Sequence, residues 1–222
     1  MRVAALYDIH GNLPALDAVL AEVDADVIVI GGDFVLGPWP AETYSRLRSL
    51  EGIVRFVRGN ADREVVDEAP GRAPRELIEF VRPRLPDDAC EFLRELPLTV
   101  SIGRTLFCHA TPRSDEEIFT RISPDERWAE ALAGVEADTV VCGHTHIQFD
   151  RQIGDVRLVN AGSIGMPYER EPGAYWALLD GDEVEFRRTE YTPGDVSIWP
   201  GEWPEALPEA ATEFFEKLSL EQ

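Results

Sequence analysis

The 222-residue chain has one lysine, Lys217, three cysteines, four histidines and no apolar stretch long enough to cross a bilayer. Each scarcity closes off a class of function. With its lysine at residue 217, the glycine-rich run at 160–165, NAGSIG, lacks the lysine of a P-loop and is not read as a nucleotide cradle. Cys90, Cys108 and Cys142 are odd in number and lack C-x-x-C spacing; they are read as reduced core residues, with metal ligation the alternative. Positive charge is short as well. Against 42 acidic side chains stand 21 basic ones, and the net charge of −21 repels a phosphate backbone, so long nucleic acids are not expected partners. The N-terminus enters an apolar run at once, without a signal-peptide pattern, and a cytoplasmic protein with no membrane association is expected.

What the chain does have is apolar content, 44% of its residues, enough to bury one sizeable core; one α/β domain over residues 1–222 is expected. Residues 3–7 suit a strand covered on both faces, followed by a helix bearing Leu13, Leu16, Val19 and Leu20, with Pro14 near its first turn. Residues 26–30 and 53–57 repeat the strand pattern around a helix at 40–50. Residues 62–97 are charged and broken by Pro70, Pro74, Pro83, Pro86 and Pro97; helical patterns at 75–81 and 87–96 make them a small helical insertion over the site. Hairpins are expected at 98–108, 147–160 and 175–188, and a further strand at 138–142. Ser123 is the expected cap of a helix running through Ala133. Residues 191–222 read as a Pro/Trp-rich segment ending in a helix at about 205–218, with Trp199 and Trp203 covering a core edge, an oligomer interface or the border of the site.

The four histidines, His10, His109, His144 and His146, all lie where an apolar run breaks into a loop. Asp8 and His10 follow the first run at a period-two spacing that points both side chains the same way. The second run ends in Gly31-Gly32-Asp33, the third in Arg58-Gly59-Asn60-Ala61-Asp62, and two later ones in His109 and in Gly143-His144-Thr145-His146. Singly, each block has a plainer reading: a strand-end aspartate caps a helix, Asn60 forms a turn, and His-x-His decorates a surface. Together, Asp8, His10, Asp33, Asn60, His109, His144 and His146 offer seven nitrogen or oxygen donors from five run ends, where open α/β sheets place their sites. That number suits two divalent ions. The donor types fit Mn²⁺, the favoured ion, and equally Fe, Zn²⁺ or Ni²⁺.

In this order the blocks resemble the calcineurin-like metallophosphoesterases, whose signature runs Asp-x-His, Gly-Asp, Gly-Asn, a lone His and Gly-His-x-His. The resemblance spans about residues 1–165, and YDIHGN, GGDF, RGNAD, CHATPR, CGHTH and VNAGSIG are most similar to the small bacterial and archaeal phosphodiesterase-like branch. It implies the metallophosphoesterase fold, a four-layer α/β sandwich of two mixed β-sheets flanked by helices. It also implies that Asp8, His10 and His146 hold one ion, that Asn60, His109 and His144 hold the other, and that Asp33 bridges both. The implied reaction is attack of a metal-bridging hydroxide on a small phosphorylated substrate, with Asp33, Asn60 and Asp62 the catalytic set. Two ions roughly 3.5–4 Å apart clamp the attacking and leaving oxygens, and Asn60 donates its amide to a phosphate oxygen.

Many relatives carry a histidine after the Gly-Asn asparagine, able to protonate the leaving oxygen; this chain has Ala61, and Asp62 is expected to stand without that partner. Loss of the acid favours phosphodiesters or activated esters over alkyl monoesters. A phosphodiesterase is therefore expected, with a phosphomonoesterase or dinucleoside polyphosphate hydrolase as alternatives. Outside enzymes the alternative is a binding scaffold, as in the retromer subunit that shares this fold; the complete ligand set argues against it. Arg113 is the candidate bidentate phosphate contact, or else a surface salt bridge, and Asn12 is a substrate contact or a helix cap. Arg72, Arg75, Arg82 and Arg84 meet an anionic substrate or form a solvated face. Relatives often form dimers, so a homodimer is among the expected states.

Overall fold

Alternation in the first strand sets the layers. In β1 (Arg2–Leu6) and the residue after it, Val3, Ala5 and Tyr7 face one way, Ala4 and Leu6 the other, and both sets are buried. The computed structural model, which describes residues 1–50, 52–67, 71–201 and 209–221, gives the reason. Val3, Ala5 and Tyr7 pack with Val29, Phe107, Val141, Val159 and Leu179 between two sheets, whereas Ala4 and Leu6 pack with Leu16, Val19, Leu47, Val65 and Leu93 beneath helices.

The first sheet joins β1 to β2 (Val27–Ile30), β3 (Val54–Phe56), β9 (Ala174–Asp180) and β10 (Glu183–Thr189), in the order β10-β9-β1-β2-β3. Strands β1, β2 and β3 are parallel, and β9 runs antiparallel to β1 and to β10. The second sheet contains β4 (Thr99–Ile102), β5 (Thr105–Cys108), β6 (Thr139–Cys142), β7 (Phe149–Ile153) and β8 (Val156–Asn160), in the order β4-β5-β6-β8-β7, with β5, β6 and β8 parallel. Helices α1 (Leu13–Glu22), α2 (Pro40–Arg48), α3 (Asn60–Val66), α4 (Arg75–Val81) and α5 (Ala89–Glu95) cover the first sheet. Trp128 of α6 (Asp125–Ala131) covers the second, packed among Cys108, Phe119, Val140, Cys142, Phe149 and Leu158. A seventh helix, α7 (Glu209–Glu221), docks beside α6 through Ser219, whose hydroxyl lies 2.9 Å from that of Thr120. Helix, sheet, sheet, helix is the four-layer sandwich expected.

Local chemistry moves some details. Ser123 does not cap α6: that helix starts two residues later, after Pro124, and the Ser123 hydroxyl instead accepts the N–H of Thr120 at 2.8 Å, closing the preceding turn. Asp125 and Glu126 in the first turn supply the negative charge that a helix N-terminus favours. Asn60 opens a helix rather than standing in a loop. Trp199 is buried against the first core, edge-on to Phe80 at 5.3 Å, so it covers a core edge; Trp203 and the expected helix start at 205 lie outside the described residues. Arg75 pairs with Glu79 on its own helix, and Arg84 lies over the Phe80 ring. All three cysteines are free. No helix among the described residues is long and apolar enough to cross a membrane.

Candidate metal centre

Parallel strands deliver the seven donors to one place. Asp8 and His10 follow β1, Asp33 follows β2, Asn60 begins α3 just after β3, His109 follows β5, and His144 and His146 follow β6. All seven are buried. Two triads form, Asp8–His10–His146 and Asp33–His109–His144, each with donor atoms within 4.8 Å of one another. Asp33 touches both: its Oδ2 lies 3.4 Å from His109 Nε2 and 4.0 Å from His10 Nε2. Asn60 Oδ1 joins the second triad, 3.2 Å from His109 Nε2.

Backbone carbonyls set which imidazole nitrogen faces inward. Nδ1 of His10, His109 and His146 lies 3.3, 2.8 and 2.6 Å from the carbonyl oxygens of Leu36, Gly31 and Met166. Donating Nδ1–H to those oxygens leaves the Nε2 lone pairs pointing into the cluster. There, His10 Nε2 is 3.2 Å from His146 Nε2, and His109 Nε2 is 3.1 Å from His144 Nδ1. Asp8 Oδ2 accepts the N–H of His144 at 2.8 Å, but Asp8 Oδ1 is buried without a hydrogen-bond partner. Lone pairs facing lone pairs around an orphaned carboxylate oxygen fit a cation site, since an unpaired buried charge is otherwise costly.

The backbone is strained at the same residues. Among the described residues, the non-glycine positions with positive φ are Asp8, His10, Asp33, His144 and His146, at 50°, 48°, 52°, 65° and 58°. Left-handed backbone at a residue with a Cβ persists only where its surroundings enforce it. Glycines permit the close approach. A Cβ on Gly59 would sit 2.1 Å from Asp33 Oδ1, and one on Gly143 2.4 Å from Asp8 Oδ2.

The buried carboxylates and imidazoles shift one another's titration. Burial opposes a charged His109, but the Asp33 and Asp8 carboxylates outweigh it and push His109 up to about 10. Burial, helped by neighbouring imidazoles, brings His10 down to about 4 and His144 to about 3. Burial would raise Asp33, yet His109, by charge and hydrogen bond, holds it below the ordinary carboxylate range.

The remaining sequence candidates are placed as follows. Asp62 has no histidine beside it, residue 61 being alanine, and its carboxylate instead accepts the backbone N–H groups of Asp33 (2.7 Å), Phe34 (3.0 Å), Val35 (3.3 Å) and Gly59 (3.4 Å). It clamps the turn that carries Asp33. Burial and the Asp33 charge push Asp62 up to about 8, while its backbone donors pull the other way; a cation held by Asp33 would offset that charge. Asn12 caps α1 by accepting the N–H of Ala15, and its amide donates to the Gly165 carbonyl and the Tyr191 hydroxyl. Arg113 is engaged by Glu117, with Nη2 2.6 Å from Oε1 and Nε 3.0 Å from the same oxygen, and by the carbonyl of Glu130.

Sequence reasoning missed the residues that hold the donors in place. The Ser163 hydroxyl donates to the Asp8 carbonyl at 2.7 Å, and the N–H of Gly165 donates to it at 2.9 Å, so the glycine-rich loop buttresses the first donor. Asn160 donates to the Gly143 carbonyl at 2.7 Å. Tyr168 stacks on His146, centroids 4.6 Å apart, and Phe215 of α7 stacks on Tyr168. Asn at the end of β8 and Ser in the loop after it were the available signal.

A sequence model of the calcineurin-like phosphoesterase superfamily domain matches residues 1–183. The chain belongs to this superfamily. Phosphodiesterase YfcE of Escherichia coli (strain K12) is 28% identical over 194 residues, which are 82% of this chain and 89% of that protein. A metallophosphoesterase from Sphaerobacter thermophilus superposes with a TM-score of 0.72 at 25% identity, over 86% of this chain and 90% of its own. Hypothetical protein PH1004 from Pyrococcus horikoshii OT3 superposes with a TM-score of 0.79 over 96% of this chain and 97% of its own; at 22% identity that likeness concerns the fold.

Proposed function

We propose that the protein is a dinuclear metal-dependent phosphoesterase that hydrolyses a small phosphodiester. One observation carries the reading: seven buried donors converge in two adjoining groups around Asp8 Oδ1, a carboxylate oxygen with no donor of its own. Asp8, His10 and His146 would hold one ion and Asn60, His109 and His144 the other, with Asp33, which reaches both triads, between them. When bound, two divalent ions lower the pKa of a water between them and clamp the attacking and leaving oxygens of an in-line displacement. The protein's own part is positional. Carbonyls fix the imidazoles, Asp62 fixes the Asp33 turn, and the Asn60 amide is available to a phosphate oxygen.

Ala61 supports the diester. It is buried beside Asn60, its N–H is given to Asp33 Oδ1 at 2.7 Å, and its methyl brings no proton to a leaving alkoxide. The phosphodiesterase name of the Escherichia coli relative agrees. Mn²⁺ is the ion we favour, from the mixed nitrogen and oxygen donors. Free cysteines fit a reducing compartment, and we place the protein in the cytoplasm as one domain over residues 1–222.

The test is hydrolysis of bis(p-nitrophenyl) phosphate and p-nitrophenyl phosphate by chelator-stripped protein titrated with Mn²⁺, for the wild type and Asp33→Ala. Mn²⁺-dependent diester cleavage that disappears in Asp33→Ala is expected. Faster monoester cleavage would keep the ions and sink the diester preference, and inactivity with every divalent ion would sink the reading as a whole.

A further inference from the structure

Glu64 is a buried acid with no part in the chemistry described so far. It lies one turn beyond Asn60 on α3 and is 3% exposed. Its Oε1 accepts an amide hydrogen of Asn60 at 3.2 Å, and its Oε2 accepts the N–H of Ala73 at 2.7 Å. A Cβ on Gly71 would fall 2.1 Å from the Glu64 carboxyl carbon, so the 71–73 loop wraps directly on this group.

An asparagine amide has two ends of nearly equal size and opposite hydrogen-bonding character. Shape alone does not choose which end meets the second triad. A carboxylate beside Asn60 does, because it takes only the NH₂ end. The carbonyl Oδ1 is then turned inward, where it lies 3.2 Å from His109 Nε2, and one amide hydrogen stays free. We propose that Glu64 is a positioning residue that fixes the Asn60 amide with its carbonyl toward the Asp33–His109–His144 triad and its spare N–H toward the substrate phosphate. The assignment rests on the dinuclear function proposed above.

The test is calorimetric titration of Mn²⁺ into chelator-stripped wild type, Glu64→Gln, Glu64→Asp and Asn60→Asp, and into Asn60→Asp combined with Glu64→Gln. Thermal midpoints of the ion-free proteins are read alongside to confirm folding. Glu64→Gln gives Asn60 a partner that pairs with either end, and Glu64→Asp keeps the charge but withdraws the acceptor by one methylene. Both are expected to weaken one of the two ions by about 10–100-fold, the usual effect of losing a partner behind a ligand. With Asn60→Asp the side chain's two ends are alike and Glu64 faces a second carboxylate, so adding Glu64→Gln, which relieves that repulsion, should raise ion affinity rather than lower it. Wild-type affinity in Glu64→Asp, or an equal loss from Glu64→Gln in both backgrounds, would overturn the assignment in favour of simple charge or support. A wild-type chain that takes up no divalent ion would overturn the dinuclear reading, and this inference with it.

Discussion

Removing the Asp62 carboxylate should unfold the protein more readily before it affects any chemistry. Asp62→Ala deprives four buried backbone N–H groups of their acceptor, two of them at 2.7 and 3.0 Å. A buried backbone N–H left without its acceptor costs about 1–3 kcal/mol, whatever the charge of that acceptor. The two short bonds therefore set the scale, the bonds from Val35 and Gly59 at 3.3 and 3.4 Å add little, and water entering the vacated space offsets part of the loss. We expect a cost of about 3–5 kcal/mol, a large share of the roughly 5–15 kcal/mol that holds a domain folded. At about 2–4 °C per kcal/mol for a chain of this size, the thermal midpoint falls by roughly 6–20 °C. Asp62→Asn keeps one acceptor oxygen, turns an NH₂ toward a backbone N–H, and should lose about half as much. The assay is circular-dichroism melting of chelator-stripped protein, so that no ion contributes. If ion-free Asp62→Ala melts with the wild type while diester turnover collapses, the clamp argument is wrong and Asp62 acts on the substrate.

Gly59→Ala places a Cβ 2.1 Å from Asp33 Oδ1 and 2.3 Å from its backbone nitrogen; overpacking of this kind costs about 1–3 kcal/mol, and Mn²⁺ uptake by calorimetry should fall with stability. Saturating Mn²⁺ at about 100 times its dissociation constant should stabilise the wild type by about 2.7 kcal/mol over chelator-treated protein, seen as a higher melting midpoint, and Asp33→Ala should show much less of this shift. Arg113→Ala should leave KM for the diester and the melting midpoint nearly unchanged, because its half-exposed guanidinium is held by Glu117 and exposed ion pairs contribute about 0–1 kcal/mol; a large rise in KM would return Arg113 to the phosphate.

The donors were legible because their chemistry is scarce. Four histidines, all at the ends of apolar runs, leave little room for a packing explanation, and the unbroken apolar run at residues 3–7 foretold a strand covered on both faces. The supports were not legible, for a physical reason. Asp62 and Ser163 act on backbone N–H and carbonyl groups, which every residue carries and no sequence marks. The left-handed φ angles at Asp8, His10, Asp33, His144 and His146 are imposed by the surroundings against local preference, so no propensity reveals them. Helix α3 was missed because it spans only residues 60–66 and its first turn holds Asn60 and Asp62, which read first as a ligand and a catalytic residue. Arg113 shows the opposite case, since its pairing with Glu117 four residues on is a local spacing the sequence displays openly.

The strand order has a bearing on how the protein is made. β1, which carries Asp8 and His10, lies between β2 and β9, and β9 is Ala174–Asp180. A nascent chain leaving the ribosome therefore exposes one unpaired edge of its first strand until some 170 residues have followed. An ion held, as proposed, by Asp8 and His10 would wait some 136 residues for its third ligand, His146. On the dinuclear reading, loading would then be a late event, taking place on a chain whose two sheets have already met, so that cellular ion supply at the close of folding, rather than during synthesis, would decide which metal is bound.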